Sequence, residues 1–276
     1  MDLLKVMLAG VLMGLSTIIN GLSAGVLAVS LGIYEDIIEA LSNIFKNFKK
    51  NIGIILAVLI GALVAYFVLG ELVLFTLENY PLITVLFFCG VIFGGLPSII
   101  KKTGGEIKRI SNLVVFILAF LGILSLSFLS AGNAVELSEL GLINYVMLFV
   151  MGVVIAATLL VPGVTTGGIL MFFGYYTPIW NALYELRHLE NFRHNLLIIA
   201  PVLLGILIGL GLVANIIRFL MAKCKNKTYV AMLGIILASF VSIFVKTSFP
   251  FEVGHTMIGA IMFAVGFVIA VKLSSE

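Results

Sequence analysis

The chain has 276 residues, of which 62% are hydrophobic and 11% are charged, and its mean hydropathy is +1.26. This composition excludes a soluble globular protein and is typical of an all-α integral membrane protein that crosses the lipid bilayer several times. The net charge is only +3, and the basic residues form short clusters between apolar runs. Such clusters orient a chain in the membrane and do not form a nucleic-acid-binding surface.

The first apolar segment runs from residue 3 to residue 41 and is interrupted by Asn20-Gly21-Leu22-Ser23-Ala24-Gly25. Glycine permits turns and a serine hydroxyl can bond freed backbone groups, so the interruption predicts non-helical backbone at membrane depth. The segment is then either one kinked span or a re-entrant hairpin whose arms each cross about half of the ~30 Å hydrocarbon layer. Three runs long enough to span follow it, at 52–70, 82–100 and 111–130.

A second half of the same plan follows an acidic linker at 132–144. Its interrupted segment covers 145–183, with spans predicted at 196–217, 228–245 and 256–271, and its break is Pro162-Gly163-Val164-Thr165-Thr166-Gly167-Gly168. The two breaks lie 142 positions apart, and beyond them a spacing of 144 relates identical residues, among them Asn51 and Asn195, Gly61 and Gly205, Gly90 and Gly234, and Ser98 and Ser242. We interpret this register as an internal duplication, with a first repeat at 1–131 and a second at 145–276.

The basic residues decide between the kinked span and the hairpin, because cytoplasmic loops contain the Lys and Arg excess. With a hairpin in each half, 13 of the 16 basic residues lie on one face of the membrane and 3 on the other. If both interrupted segments crossed fully, the division would be 6 to 10, which is hardly a bias. We therefore predict two hairpins, both termini in the cytoplasm and the linker outside. Because each half then has three full spans, the halves must be inverted repeats whose hairpin tips meet near the midplane.

The two tips are the predicted substrate site. A tip that turns through glycine and restarts a helix presents unpaired N–H groups and the positive end of that helix, which together bind anions. Serine and threonine hydroxyls would add donors. We predict that an anionic group of the substrate is bound by Gly21, Ser23, Gly25, Pro162, Gly163, Thr165, Thr166, Gly167 and Gly168. No Lys or Arg lies in the middle of a span, so the site would hold an anion weakly and reversibly, as transport requires.

Further candidates stand at the ends of the hairpins. Glu35 follows Tyr34 directly, and we expect its carboxylate to be solvated at the interface or, alternatively, to carry coupling protons. Tyr34 and its counterpart Tyr176 are interpreted as interfacial anchors. Arg187 and Arg193 follow the second hairpin on the predicted outer face, where they are surface charges or contacts for an anionic headgroup.

With these motifs the chain resembles the polyprenyl-phosphate transporter family, in which each half has a Pro-Gly-x-Ser-Gly type motif followed by Gly, a hydrophobic residue, Tyr and Glu. The matching stretches are residues 20–25 with Gly32-Ile33-Tyr34-Glu35, and residues 162–168 with Gly174-Tyr175-Tyr176. Residues 77–81, 90–94 and 96–97 also follow the family's pattern, so the resemblance covers nearly the whole chain. It implies a flippase that returns a polyprenyl phosphate, of the undecaprenyl or dolichyl type, to the cytoplasmic leaflet of the cell membrane for another round of glycan export.

The chain departs from the family's motifs at six positions, which are Asn20 for Pro, Ala24 for Gly, Val26 for a hydroxyl residue, Thr165 and Thr166 for Ser-Gly, and Thr177 for the second Glu. Asn20 can still interrupt a helix and bond its own backbone, so we expect the tip geometry to be retained. The departures bear on specificity and on any role of a second carboxylate.

Two other functions would use the same features. A transporter of a small soluble anion would bind it at the same dipole-based site but would enclose the pathway fully. A membrane enzyme acting on prenyl phosphates would need catalytic groups, and the sequence has no His-based nucleophile, no Arg or Lys cluster at a tip and no metal-ligand spacing around Cys89 or Cys224. We therefore expect a transporter without a metal or cofactor, and not an enzyme.

Overall fold

Apolar helices form almost all of the structure, which a computed structural model describes for residues 3–19, 22–126, 128, 130–137, 140–186, 191–246 and 253–274. No strand occurs within these ranges. In hydrocarbon every backbone polar group must be satisfied internally, and an α-helix does this within a single segment.

The first half begins with α1 (Leu3–Ser16), α2 (Ala24–Ser30) and α3 (Tyr34–Ser42) in the region of the first predicted hairpin. A long helical segment follows, made of α4 (Phe48–Val64), a π-helical turn (Ala65–Leu69) and α5 (Gly70–Asn79). The next helix, α6 (Pro81–Lys102), starts at a proline, which suits the first turn because an N–H there has no intrahelical partner. A 3₁₀ turn (Glu106–Lys108) leads into α7 (Ile110–Leu126).

The second half repeats this order with α8 (Leu142–Leu160), α9 (Thr166–Phe172), α10 (Tyr176–Glu185), α11 (Phe192–Lys223), α12 (Lys225–Lys246) and α13 (Val253–Ser274). Several bounds follow the register of the sequence. The helix α9 begins and ends 142 positions after α2, and α12 begins and ends 144 positions after α6. Gly32 and Gly174, which follow α2 and α9, have φ values of 77° and 75°.

Six helical segments of the described chain are long and apolar enough to cross a membrane, namely Phe48–Asn79, Pro81–Lys102, Leu142–Leu160, Phe192–Lys223, Lys225–Val245 and Gly254–Ser274. Two shorter apolar helices, Leu3–Ser16 and Ile110–Leu126, accompany them. This confirms the predicted class of an all-α, multi-pass membrane protein.

The helices differ from the predicted elements mainly in length. The predicted span 52–70 continues to Asn79, because the first proline after it is Pro81 and the residue before a proline disfavours the helical conformation. Similarly, α8 has 19 residues and is therefore about 28 Å long, more than the half-crossing expected of a hairpin arm. The second arm is shorter, since α9 has 7 residues and is about 10 Å long. By contrast, α7 is shorter than predicted at its end, because it stops at Leu126 and not at residue 130.

Two helix pairs cross closely through glycine. The helix α1 packs along α4, where a Cβ on Gly61 would lie 2.2 Å from the carbonyl oxygen of Met7. The helix α8 packs along α11 in the same way, and a Cβ on Gly205 would lie 2.1 Å from the carbonyl oxygen of Phe149. Small residues allow such backbone approach between membrane helices. Both contacts join corresponding positions of the two halves.

The last helix of each half packs against the other half. The helix α13 lies along α6, where a Cβ on Gly90 would be 2.0 Å from the carbonyl oxygen of Phe263. The helix α7 lies along α12, where a Cβ on Gly234 would be 2.6 Å from the carbonyl oxygen of Phe116. Because each half packs its last helix against the other half, the two halves interlock. The regions around the two breaks therefore face each other.

Candidate functional site

The two breaks in the apolar sequence lie against each other. We call residues 22–25 the first tip and residues 162–168 the second tip. The N-cap residue of α2 is Ser23 and that of α9 is Thr165. A Cβ on Gly25 would lie 3.1 Å from the Cα of Pro162, so a glycine at position 25 helps the backbones of the two tips to come this close. The predicted site residue Gly21 lies outside the described residues.

A cavity of about 880 Å³ is lined by both tips. Pockets that hold drug-sized ligands have volumes of about 300–1,000 Å³, so this cavity is large enough for a substrate. The predicted site residues that line it are Ser23, Gly25, Gly163, Thr165, Thr166, Gly167 and Gly168. Pro162 is not part of the lining and packs behind it, against Gly25.

The start of α9 offers hydrogen-bond donors to this cavity. The amide of Ile169 bonds the carbonyl of Thr165 at 3.3 Å, whereas the amides of residues 166–168 have no backbone acceptor in the described structure. Helix starts generally leave such amides unpaired. The Thr165 side chain is in the N-cap position but makes no capping hydrogen bond. An anion in the cavity would therefore find several donors together.

The hydroxyl of Thr166 is held by a residue that the sequence did not indicate. Its Oγ1 lies 2.8 Å from Oγ1 of Thr158, which in turn donates to the carbonyl of Ile155 at 2.7 Å. Because Thr158 has a single hydroxyl proton, Thr166 is the donor between the two threonines. The Thr166 hydroxyl thus fixes the start of α9 to α8. Thr165 is the better placed donor for a ligand, because its side chain makes no capping hydrogen bond.

Two glycines of the second tip have different roles. Gly163 has a φ of 78°, and a Cβ there would lie 2.5 Å from Cγ2 of Ile235 and 2.7 Å from Oγ of Ser239. Glycine is therefore required at position 163 both by its left-handed conformation and by its neighbours. Among the described residues, a Cβ on Gly167 would meet only the Tyr176 ring, at 3.6 Å, so Gly167 keeps part of the cavity open.

Four further serine and threonine side chains line the cavity, those of Thr17, Thr158, Ser239 and Ser242. The only signal for them in the sequence was the pairing of Ser242 with Ser98 in the repeat register. They reach the cavity because α12 and the ends of α1 and α8 pack beside the tips, which is a tertiary arrangement. None of the described residues that line the cavity is charged.

The rest of the wall is apolar. It includes Ile19 and Leu22 before the first helix restart, Ile123 and Leu126 at the end of α7, and Leu159 in α8. A pocket with a few convergent polar groups and an apolar remainder suits a ligand with a polar head and an apolar chain.

Glu35 lies away from this cavity, in α3, which is not one of the six candidate spans. Its Oε1 accepts hydrogen bonds from Nζ of Lys102 and from the hydroxyl of Tyr229. Partial burial acts to raise the pKa of Glu35, but the hydrogen bonds from Lys102 and Tyr229 and the nearby positive charges outweigh it, so this pKa lies below its ordinary value. The carboxylate is therefore ionised at neutral pH. It is bound by protein groups and its side chain is also 44% exposed.

The remaining predicted residues are dispersed. Arg193 is exposed in the first turn of α11 and does not line the cavity, and Arg187 lies outside the described residues. Tyr34 is only 4% exposed and donates its hydroxyl proton to the carbonyl of Leu160, so its interpretation as an interfacial anchor is wrong. Tyr176 lines the cavity.

The two halves differ in how the short helix after each tip packs, α2 against α6 in the first half and α9 relative to α12 in the second. In the first half α2 packs so closely on α6 that a Cβ on Gly95 would lie 2.1 Å from the carbonyl oxygen of Ser30. The register relates these residues to Ser239 and Phe172. There, Ser239 lines the cavity and Phe172 is 41% exposed. The cavity thus occupies the side where α9 has no comparable contact with α12 in the described structure.

Sequence comparison finds similarity over most of the chain. A family model described as undecaprenyl phosphate translocase-like matches residues 13–253. A curated relative, the polyprenyl-phosphate transporter of Staphylococcus aureus, is 27% identical over 273 residues, which cover 96% of this chain and 94% of that protein. No solved structure matches the chain.

Proposed function

Because the chain belongs to the undecaprenyl phosphate translocase-like family, we propose that it moves a polyprenyl phosphate between the leaflets of the cell membrane and binds the phosphate between its two tips. The observation that supports this most is the shared cavity, to which both tips contribute hydroxyl groups. The name of the Staphylococcus aureus relative indicates the same class of lipid.

The phosphate would be held by neutral donors. The amides of residues 166–168 and the hydroxyls of Thr165 and Ser23 border the cavity, and a hydrogen bond to a charged group contributes about 1.5–3 kcal/mol. Since none of the described residues that line the cavity is a cation, the charge of the phosphate would be only partly compensated by them. Binding would then be reversible, as transport requires.

The prenyl chain would stay mostly in the bilayer. A cavity of about 880 Å³ has the volume of a drug-sized ligand, so it holds the headgroup and the first isoprene units of a long-chain lipid. These units would contact the apolar wall of Ile123, Leu126 and Leu159. The rest of the chain passes between helices into the hydrocarbon layer, where it needs no binding site.

We further propose the topology of two inverted repeats, with re-entrant hairpins at α1–α3 and α8–α10 and both termini in the cytoplasm. The matching helix bounds and the matching glycine crossings support a duplication, and the distribution of basic residues supports the inversion. The first three residues of α8 precede the counterpart of α1 and can lie in the outer headgroup region, which shortens the part of this arm that lies in the hydrocarbon layer.

In this topology the cavity opens toward the outside, and the contact between α2 and α6 closes the cytoplasmic side. If α2 separated from α6 and α9 packed against α12 instead, the cavity would open to the cytoplasm and close to the outside. Transporters built from inverted repeats alternate in this way. We propose that this change of packing carries the headgroup across, toward the cytoplasmic leaflet, for reuse in glycan export.

Reconstitution tests the proposed function. Liposomes with undecaprenyl phosphate in both leaflets are treated from outside with a phosphatase, with and without the purified protein. Translocation makes the inner-leaflet lipid accessible, so the hydrolysed fraction should rise from the outer-leaflet share toward completion. An equal fraction in both samples would refute lipid translocation. Uptake of free phosphate by the same liposomes would instead identify a transporter of a soluble anion.

A further inference from the structure

We propose that Lys102 and Tyr229 form a second anion-binding site, which receives the phosphate headgroup on the cytoplasmic side of the tips and is occupied by Glu35 when no lipid is there. We call this pair the inner anion site. The inference rests on the proposed function and adds the residues through which the headgroup would leave.

Two donors from different helices converge on one carboxylate oxygen. Lys102 ends α6 and Tyr229 lies near the start of α12, and both donate to Oε1 of Glu35. The ammonium of Lys102 also lies 5.5 Å from the centre of the Tyr229 ring, a distance typical of a cation–π contact. Carboxylate and phosphate oxygens form the same kind of charge-assisted hydrogen bond. The carboxylate therefore occupies a place that a phosphate oxygen can take.

The occupant can be exchanged. The side chains of Lys102 and Glu35 are 37% and 44% exposed, and ion pairs with this much exposure contribute little to stability. A phosphate monoester bears about 1.5 to 2 negative charges at pH 7, against one for the carboxylate. A headgroup that reaches Lys102 would thus compete well with Glu35.

Hydroxyl groups lie between the tips and the inner anion site. Ser30 is fully buried where α2 packs on α6, and its Oγ has no hydrogen-bond partner in the described structure. Buried polar groups without a partner are rare and need an explanation. If α2 separates from α6 during transport, Ser30 faces the passage and can donate to the phosphate. Ser98, one turn before Lys102, lines a small pocket that Glu35, Lys102 and Tyr229 also line.

The second half lacks this arrangement. The register places Thr177 at the position of Glu35 and Val85 at the position of Tyr229, so neither the carboxylate nor the phenol recurs. A competing carboxylate on the cytoplasmic side alone would lower the affinity for the headgroup there. That difference favours release of the lipid into the cytoplasmic leaflet.

Binding of farnesyl phosphate, a short prenyl phosphate, to the purified full-length protein tests the site by calorimetry. E35Q removes the competing charge and should tighten binding about two- to fivefold, the range expected for loss of one partly exposed ion pair. Adding K102M to E35Q should remove the gain. E106Q is the matched control, because it removes the carboxylate that lies 3.9 Å from Arg109, and it should leave the affinity unchanged.

The unaltered protein provides a second measurement, which does not depend on how the variants fold. Farnesyl phosphate should protect Lys102 from acylation by an amine reagent and should leave exposed Lys49 reactive. A purely structural ion pair would give equal or weaker binding in E35Q and no protection of Lys102, and either result would overturn the inner anion site. If T165V then still weakens binding, the tip site stands. If the wild type does not bind farnesyl phosphate, the proposed function falls together with the inner anion site.

Discussion

The hydroxyl of Tyr34 donates a hydrogen bond of 2.8 Å to the carbonyl oxygen of Leu160, 126 residues further along the chain. Tyr34 starts α3, and Leu160 ends α8 two residues before Pro162. Carbonyls at the end of a helix have no intrahelical partner, so this bond satisfies one of them. It also ties the second tip to the first half of the protein, which makes the geometry of the cavity depend on both halves.

Replacing Tyr34 by Phe tests that connection. The ring still fills its buried position, but the Leu160 carbonyl loses its partner, so we expect the free energy of unfolding to fall by about 1 kcal/mol. Thermal unfolding in detergent measures the change. Tyr66→Phe is the control, because Tyr66 is exposed and should tolerate the same deletion. Equal unfolding temperatures for Tyr34→Phe and the wild type would mean that the bond contributes nothing to stability.

Replacing Thr165 by Val keeps the shape of the second tip and removes a donor to the phosphate. A hydrogen bond to a charged group contributes about 1.5–3 kcal/mol, so the affinity for farnesyl phosphate should fall roughly tenfold to hundredfold. Thr166→Val should also weaken binding, because it removes the contact with Thr158. Thr76→Val, in α5 and away from the cavity lining, should bind normally. Wild-type affinity in both tip variants would exclude the tips as the phosphate site.

Alanine at Gly163 and at Gly167 should have different effects. Gly163→Ala places a Cβ in the left-handed region and within 2.7 Å of two side chains, so we expect loss of stability and a low yield of folded protein. Gly167→Ala meets only Tyr176 at 3.6 Å and should fold normally. Its methyl group would still reduce the space beside the amides of α9 and weaken binding. Size-exclusion profiles and unfolding temperatures separate the two; similar stabilities would contradict the different roles of these glycines.

Single cysteines test the proposed topology. In a background with exposed Cys224 replaced by Ser, a cysteine at Asn47 or Arg109 should react with a membrane-impermeant maleimide only from the cytoplasmic side. A cysteine at Glu136, in the linker, should react only from outside. All three positions are exposed, so an absence of reaction reports the side of the membrane and not burial. Labelling of Asn47 from outside, while a cysteine added at the N-terminus reacts from the cytoplasmic side, would exclude the hairpin in the first half.

The sequence by itself determined the class of the protein and the positions of the breaks. These depend on local properties: the length of apolar runs, and the placement of Gly, Pro and hydroxyl residues within them. For this reason α9 and α12 begin and end where the register with α2 and α6 places them. The same local signals singled out Ser23 and Thr165, which the structure brings to one cavity.

Only the tertiary structure decided which side of the tips is open and what surrounds Glu35. The partners of Glu35 lie 67 and 194 residues away, and no periodic pattern encodes such a contact. The two halves also have nearly the same helices, so the pattern of apolar residues cannot distinguish the closed side from the open one. The difference arises where α2 meets α6, because Gly95 lets the backbone of Ser30 approach, whereas the larger Ser239 and Phe172 stand at the corresponding positions beside the cavity.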